Sequence, residues 1–274
     1  TSIKDDSVGG DTNNDGTASA PARGDWQDIV VYGQANIAYA ALRYGGRTGY
    51  GDDSILYLHD NAVVSVDHAT VSDSFSHGIA LNASGSVSTH LTMLASTVQS
   101  NAGHGIAAFQ SYGPGNTQLS ISGSTFRTNG ADGINTNGPN TTSITGSTFD
   151  SNGGSGVYTN NANGITFDGN VMVNNGSYGA SFNFASGTFT SLVDNAGSSN
   201  RENGIALSGS LGSNTTLHVN PSLPYIIPNN DLTVNGGVTL TVPASGVVKF
   251  DALGAQLRIY GNLQVQGTAD NPVA

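Results

Sequence analysis

The sequence predicts an all-β solenoid of about ten coils of roughly 25 residues, on three observations. A motif returns at a nearly constant interval, apolar residues alternate between its copies, and the usual helix formers are almost missing. Asn101, Asn129, Asn152, Asn175 and Asn200 stand four residues ahead of Gly105, Gly133, Gly156, Gly179 and Gly204, and an earlier copy sets Ser74 ahead of Gly78. Successive glycines of this series are 27, 28, 23, 23 and 25 residues apart. Between them lie short runs such as Leu119-Ser-Ile121 and Ile165-Thr-Phe167, bounded by Gly, Asn and Ser, which read as strands. Glu occurs once and Lys twice in 274 residues, whereas Gly occurs 38 times, as a chain that turns two or three times per repeat requires.

The leading segment, residues 1–25, carries the sharpest chemical motif. Asp11, Asn13 and Asp15 offer side-chain oxygens at alternate positions, Gly16 permits a tight turn, and the Thr17 carbonyl adds a further oxygen. This is the first half of an EF-hand-like loop, and calcium, which takes six to eight oxygens, is the ion it suits, as a structural clamp. The twelfth position is Ala22 where a bidentate Glu belongs, so Asp25, or the upstream pair Asp5 and Asp6, must complete the set.

Residues 26–218 form the Asn/Gly-rich coils. Three residues before each motif Asn lies Val71, Val98, Phe126, Phe149 or Met172, an inward apolar column that lapses at Gly197. The Asn series is expected to form an amide ladder at the strand spacing of ~4.8 Å. The motif glycines serve either a positive φ or close approach of neighbouring coils. The positions ahead of them read His77, His104, Asp132, Ser155, Tyr178 and Asn203. His77, His104 and Asp132 would lie one coil apart, within reach of a shared metal, but polar residues at a repeated turn position favour a structural role. His68 beside Asp67 is expected to face outward, and Arg127 to pair with Asp150 across coils. Asp132, Asp150 and Asp168 fall on successive coils at different offsets from the motif glycine. They do not make the facing carboxylate pair of a glycosidase.

Residues 219–274 continue the period with Val and Leu: Leu232-Thr-Val234 and Leu257-Arg-Ile259 lie 25 apart. Pro221, Pro224 and Pro228 mark a change of coil shape or an edge loop, and Lys249 and Arg258 are outward members of alternating strands.

The stacked Asn-x-x-x-Gly-Ile/Val pattern over about 70–260 resembles the right-handed parallel β-helix family, the architecture of pectate lyases, phage tailspikes and many bacterial surface proteins. The flanks resemble a module of long repetitive bacterial surface proteins, on Gly267-Thr-Ala-Asp-Asn-Pro-Val273 at the end. At the start, Thr1-Ser-Ile-Lys-Asp-Asp6, Gly9-Gly-Asp-Thr-Asn-Asn-Asp-Gly16 and Gly24-Asp-Trp26 match it. The resemblance implies one right-handed parallel β-helix domain over 1–274, excised from a tandem array.

A net charge of −11 argues against neutralising nucleic-acid phosphates or docking on anionic membranes, and no apolar run is long enough for membrane insertion. There is no cysteine, so the fold owes nothing to disulfides. The expected function is a non-enzymatic structural or adhesin-like module, extracellular or on a bacterial cell surface. Calcium would stabilise it, and its partners would be glycans or neighbouring repeat modules. Loops 43–53, 110–117 and 184–190 would make the contacts. The alternative is a polysaccharide lyase or glycoside hydrolase working in a groove along the helix.

Overall fold

A computed structural model describes residues 1–47, 53–112 and 115–274. The chain winds as an all-β parallel solenoid of about nine turns, with no helix among the described residues. The count falls just below ten because residues 1–28 form turns and no strand, leaving the first rung to Ile29–Val31.

Three strand columns wall most of the solenoid. The first climbs from Ile29–Val31 through Ser54–His59, His77–Ser84, Ile106–Tyr112 and Ile134–Thr145, and on to Val248–Phe250. Its inward register places Leu56, Ile79, Ile106, Ile134, Val157, Ala180, Ile205 and Tyr225 one above another. The second column stacks Val66, Met93, Ile121, Ile144 and Phe167. The third carries the column read from the sequence: Val71, Val98, Phe126, Phe149, Met172, Gly197. All of these except Gly197 belong to one buried core. Phe126 and Phe149 stack at 5.1 Å and 8° between ring planes, a close approach that parallel stacking of coils imposes.

Gly197 has a physical reason. A Cβ there would stand 2.6 Å from Leu223 Cδ2, so a side chain from the following turn already fills the column. The Pro-rich stretch does mark a change of shape. The third column ends at Ala196–Ser198, and Leu232–Val234 stacks on the second half of Glu202–Leu211. A small sheet of Thr215–Thr216, Thr239–Pro243 and Asn262–Gln266 closes the far side.

The Asn series forms the expected ladder. From Asn101 to Asn200 each Nδ2 donates to the next Oδ1 at 2.8–3.0 Å, and each backbone N–H donates to that same oxygen at 3.0–3.3 Å. The motif glycines are there for close approach. None of them has positive φ, and a Cβ on Gly133 would meet Gly156 O at 2.6 Å. Positive φ falls instead on the residue before each Asn: Ser100, Thr128, Ser151, Asn174 and Ser199.

A second ladder was not read from the sequence. Ser96, Ser124, Ser147, Asn170, Asn195 and Asn220 each accept the backbone N–H of the corresponding residue one coil earlier, from Ala69 N–H onward. Ser and Asn interchange in this row, so no single residue type repeats. The signal was the offset: Ser124, Ser147, Asn170 and Asn195 each lie two residues ahead of the inward column.

Candidate functional site

The leading segment folds into consecutive turns, and its oxygens converge. One carboxylate oxygen each of Asp6, Asp11 and Asp15 lies within 4.8 Å of the others. Two ligands of one calcium ion, each 2.3–2.6 Å from it, span about this distance or less. Asp11 is held by the N–H groups of Asp15 and Gly16, at 3.0 and 2.9 Å. Asp15 uses one oxygen, Oδ2, to accept from Asn13 Nδ2 at 2.8 Å and from the Ser19 hydroxyl. Asn13 Nδ2 also donates to Ser19 Oγ at 3.0 Å. These bonds fix the side chains and leave Asp6 Oδ1, Asn13 Oδ1 and Asp15 Oδ1 shielded from solvent with no donor.

Carboxylates in this arrangement repel one another. Partial burial, then the charges of Asp11, Asp15 and Asp5, raise the Asp6 carboxyl above its ordinary pKa. A divalent cation would offset this repulsion and give the orphan oxygens a partner.

Of the residues singled out from the sequence, Asp11 and Asp15 are in the cluster, and Asn13, whose Nδ2 bonds to Asp15, keeps its Oδ1 shielded without a donor. Thr17 is exposed in the same run of turns, and among the described residues no hydrogen bond takes its carbonyl. Asp25 is engaged elsewhere: it accepts from Lys4 Nζ at 2.7 Å, Ser2 Oγ at 2.7 Å and Ala22 N–H at 2.9 Å. Its burial would push the carboxyl up, but those donors outweigh it and hold the pKa below the ordinary value. Of the upstream pair, Asp6 joins the cluster, whereas Asp5 is buried against the Thr1 and Ser7 hydroxyls.

The first three residues of the row ahead of the motif glycines are structural. His77 Nδ1 accepts the N–H of His104 at 3.1 Å, and His104 Nδ1 accepts the N–H of Asp132 at 3.1 Å. Asp132 Oδ1 then accepts the N–H of Ser155 at 2.7 Å. The two imidazoles stack at 5.1 Å. Because a backbone N–H can only donate, both Nδ1 atoms keep their lone pairs for it, and each neutral ring carries its proton on Nε2. A metal on Nε2 would leave Nδ1 needing a proton that the neighbouring N–H excludes, so the arrangement opposes a shared metal. Asp132 Oδ2 lies 3.3 Å from His104 Nδ1, a contact that becomes an ion pair only if the ring is protonated. Burial, and then the neighbouring His104, lower the His77 pKa to about 4.

The remaining acid–base candidates do not converge. Asp150 lies in the third column and Asp168 in the second. Arg127 is level with Asp150 but donates to Gln99 Oε1 at 2.7 Å, while Asp150 accepts from Ser151 and Asn174, so the expected ion pair is replaced by hydrogen bonds along the wall. His68 and Asp67 form an exposed contact at 2.6 Å, with the ring stacked on Tyr39. Lys249 is outward and exposed, as is Arg258, which reaches Asp231 at 2.7 Å. Of the three expected contact loops, 184–190 is described and is not a loop: it runs from the end of strand Tyr178–Gly187 through Thr188 into strand Phe189–Ser191, with Ala185, Ser186 and Thr190 exposed. In the other two, residues 48–52 and 113–114 lie outside the described residues.

The parallel coils, inward columns and amide ladders define a parallel β-helix, and comparison with family models supplies its hand. The model described as "Right handed beta helix region" matches residues 54–220, more than half of the chain, and the chain belongs to that family. No curated protein and no solved structure matches it.

Proposed function

We propose that this chain is a non-enzymatic β-helix module of an exported or cell-surface protein, a rod whose leading segment is clamped by calcium and whose surface contacts glycans. The observation that carries the reading is what its polar chemistry is used for. His77, His104 and Asp132, the trio that the sequence places within reach of a shared metal, are used as acceptors for backbone N–H groups of the next coil. Asp150 and Asp168, which a glycosidase would need on one face, sit on different walls. Stability and display of a surface are what remain for such a scaffold.

The calcium part rests on the three solvent-shielded oxygens of Asp6, Asn13 and Asp15 that lack donors beside the Asp11 carboxylate. Calcium at about a hundred times its dissociation constant should raise the melting temperature by roughly 5–10 °C over the chelated protein. Asp15→Ala and Asp6→Asn should each remove that rise, while Asp25→Asn should keep it, because Asp25 serves Lys4. Identical melts with calcium and with chelator would defeat the clamp.

A further inference from the structure

Where the solenoid changes shape, its outer wall carries a cleft of about 350 Å³, within the size range of ligand pockets. The floor comes from the first strand column, with Ser181, Asn183 and Ser208 on adjacent rungs. Tyr158, level with Ser181, and Tyr178 flank it on one side. The turn Pro228–Asn230 and the residues Asp251 and Ala252, brought alongside by the later coils, form the other wall. The Tyr178 hydroxyl donates to Asp251 Oδ2 across 73 residues of sequence and ties the two walls together.

Three properties say what the cleft accepts. Ser181 and Ser208 are 8% and 4% exposed, yet neither hydroxyl has a hydrogen-bond partner among the described residues. The Tyr158 hydroxyl and the Asn229 and Asn230 amides are equally free of internal partners. These groups line the cleft with donors and acceptors that the protein itself does not use, so they are available to a ligand's hydroxyls or to water. The tyrosine rings add an aromatic surface of the kind that packs against the C–H face of a sugar ring. The charge is one-sided: among the described residues Asp251 is the only acidic or basic side chain lining the cleft, and nearby Arg201 is paired with Glu202 at 3.4 Å. A uronate would meet a carboxylate with no cation to offset it.

We propose that this cleft binds a neutral oligosaccharide, with Tyr158 and Tyr178 as its aromatic flank and Ser181, Asn183, Ser208 and Asn229 as its hydrogen-bonding groups. The proposal deepens, and rests on, the reading of the chain as a glycan-contacting surface module.

The test is titration calorimetry of the intact protein with cellohexaose, mannohexaose and hexagalacturonate, with mass spectrometry of the recovered sugar. At least one neutral oligomer should bind and be recovered intact. Tyr158→Ala and Asn229→Ala should each weaken that binding about tenfold or more, and Thr216→Ala, on a distant sheet, should leave it unchanged. Asn229 is in an exposed turn, so its variant keeps the test decisive should Tyr158→Ala fold poorly. Binding of hexagalacturonate alone, no binding of any oligomer, or binding indifferent to both substitutions would overturn the cleft. Recovery of cleaved sugar would instead overturn the non-enzymatic reading, and dependence of that cleavage on Tyr158 would leave the cleft standing as the sugar site.

Discussion

Asn152 is 1% exposed and hydrogen-bonds to the coils on both sides of its own. Its Oδ1 accepts from the backbone and amide N–H of Asn129, and its Nδ2 donates to Asn175 Oδ1 and to Phe126 O. Asn152→Ala would leave several buried groups unpaired at once, at about 1–3 kcal/mol for each one stranded. A loss of about 2–5 kcal/mol in denaturant unfolding is expected, and an undiminished midpoint would mean the ladder is ornamental. His77 predicts a pH dependence. Its folded pKa, about 4, is below the unfolded 6.5, so as pH falls the unfolded chain takes up a proton that the folded one refuses. Stability from this residue is therefore present above pH 6.5 and is lost progressively towards pH 4. Burial, and then the His104 ring stacked on it, set the shift against the nearby Asp53 charge, which acts to raise the pKa. His77→Asn, which keeps an acceptor but does not titrate, should flatten melting temperature against pH in that window.

The third column shows how whole elements depend on one another. Strands of three residues, such as Thr125–Arg127 and Thr148–Asp150, are too short to persist alone and are held by their inward residue and the rungs on either side. Phe149→Ala removes a fully buried ring that stacks on Phe126 and approaches Phe167, and should cost about 3–5 kcal/mol. Leu223 fills the space beside Gly197 for the same reason, since a coil with no side chain in the column leaves a void that a neighbour must occupy. This column was legible from spacing, because inward residues recur at one offset from the motif Asn. The Ser/Asn ladder beside it was not. The same hydrogen bond is made there by two residue types, so the repeat is conserved in chemistry but not in letters.

At the scale of the molecule, coils stacked at the strand spacing give a rod about 45 Å long, in which each turn touches only its neighbours. The leading segment lies outside this scheme. It has no strand, and its turns are held by side-chain bonds such as Lys4 to Asp25 and Asp11 to the Gly16 N–H. That is why a clamp there should register as a separate contribution to melting. Under the proposed calcium clamp, chelation is expected to loosen residues 1–25, while the ladders, which contain no carboxylate ligand, keep their bonds.

The sequence by itself determined the architecture, since a period near 25, alternating apolar residues and the Asn offsets are one-dimensional consequences of stacking identical turns. It also located the acidic loop, because Asp11, Asn13, Asp15 and Gly16 are local to one another. The tertiary structure decided which carboxylate joins that loop, selecting Asp6 and assigning Asp25 to Lys4. It showed the histidine row to be backbone acceptors, and it brought Tyr178 within reach of Asp251 across three coils to frame a cleft. Those outcomes depend on distances between side chains whose sequence separation carries no signal, and only the wound chain fixes such distances.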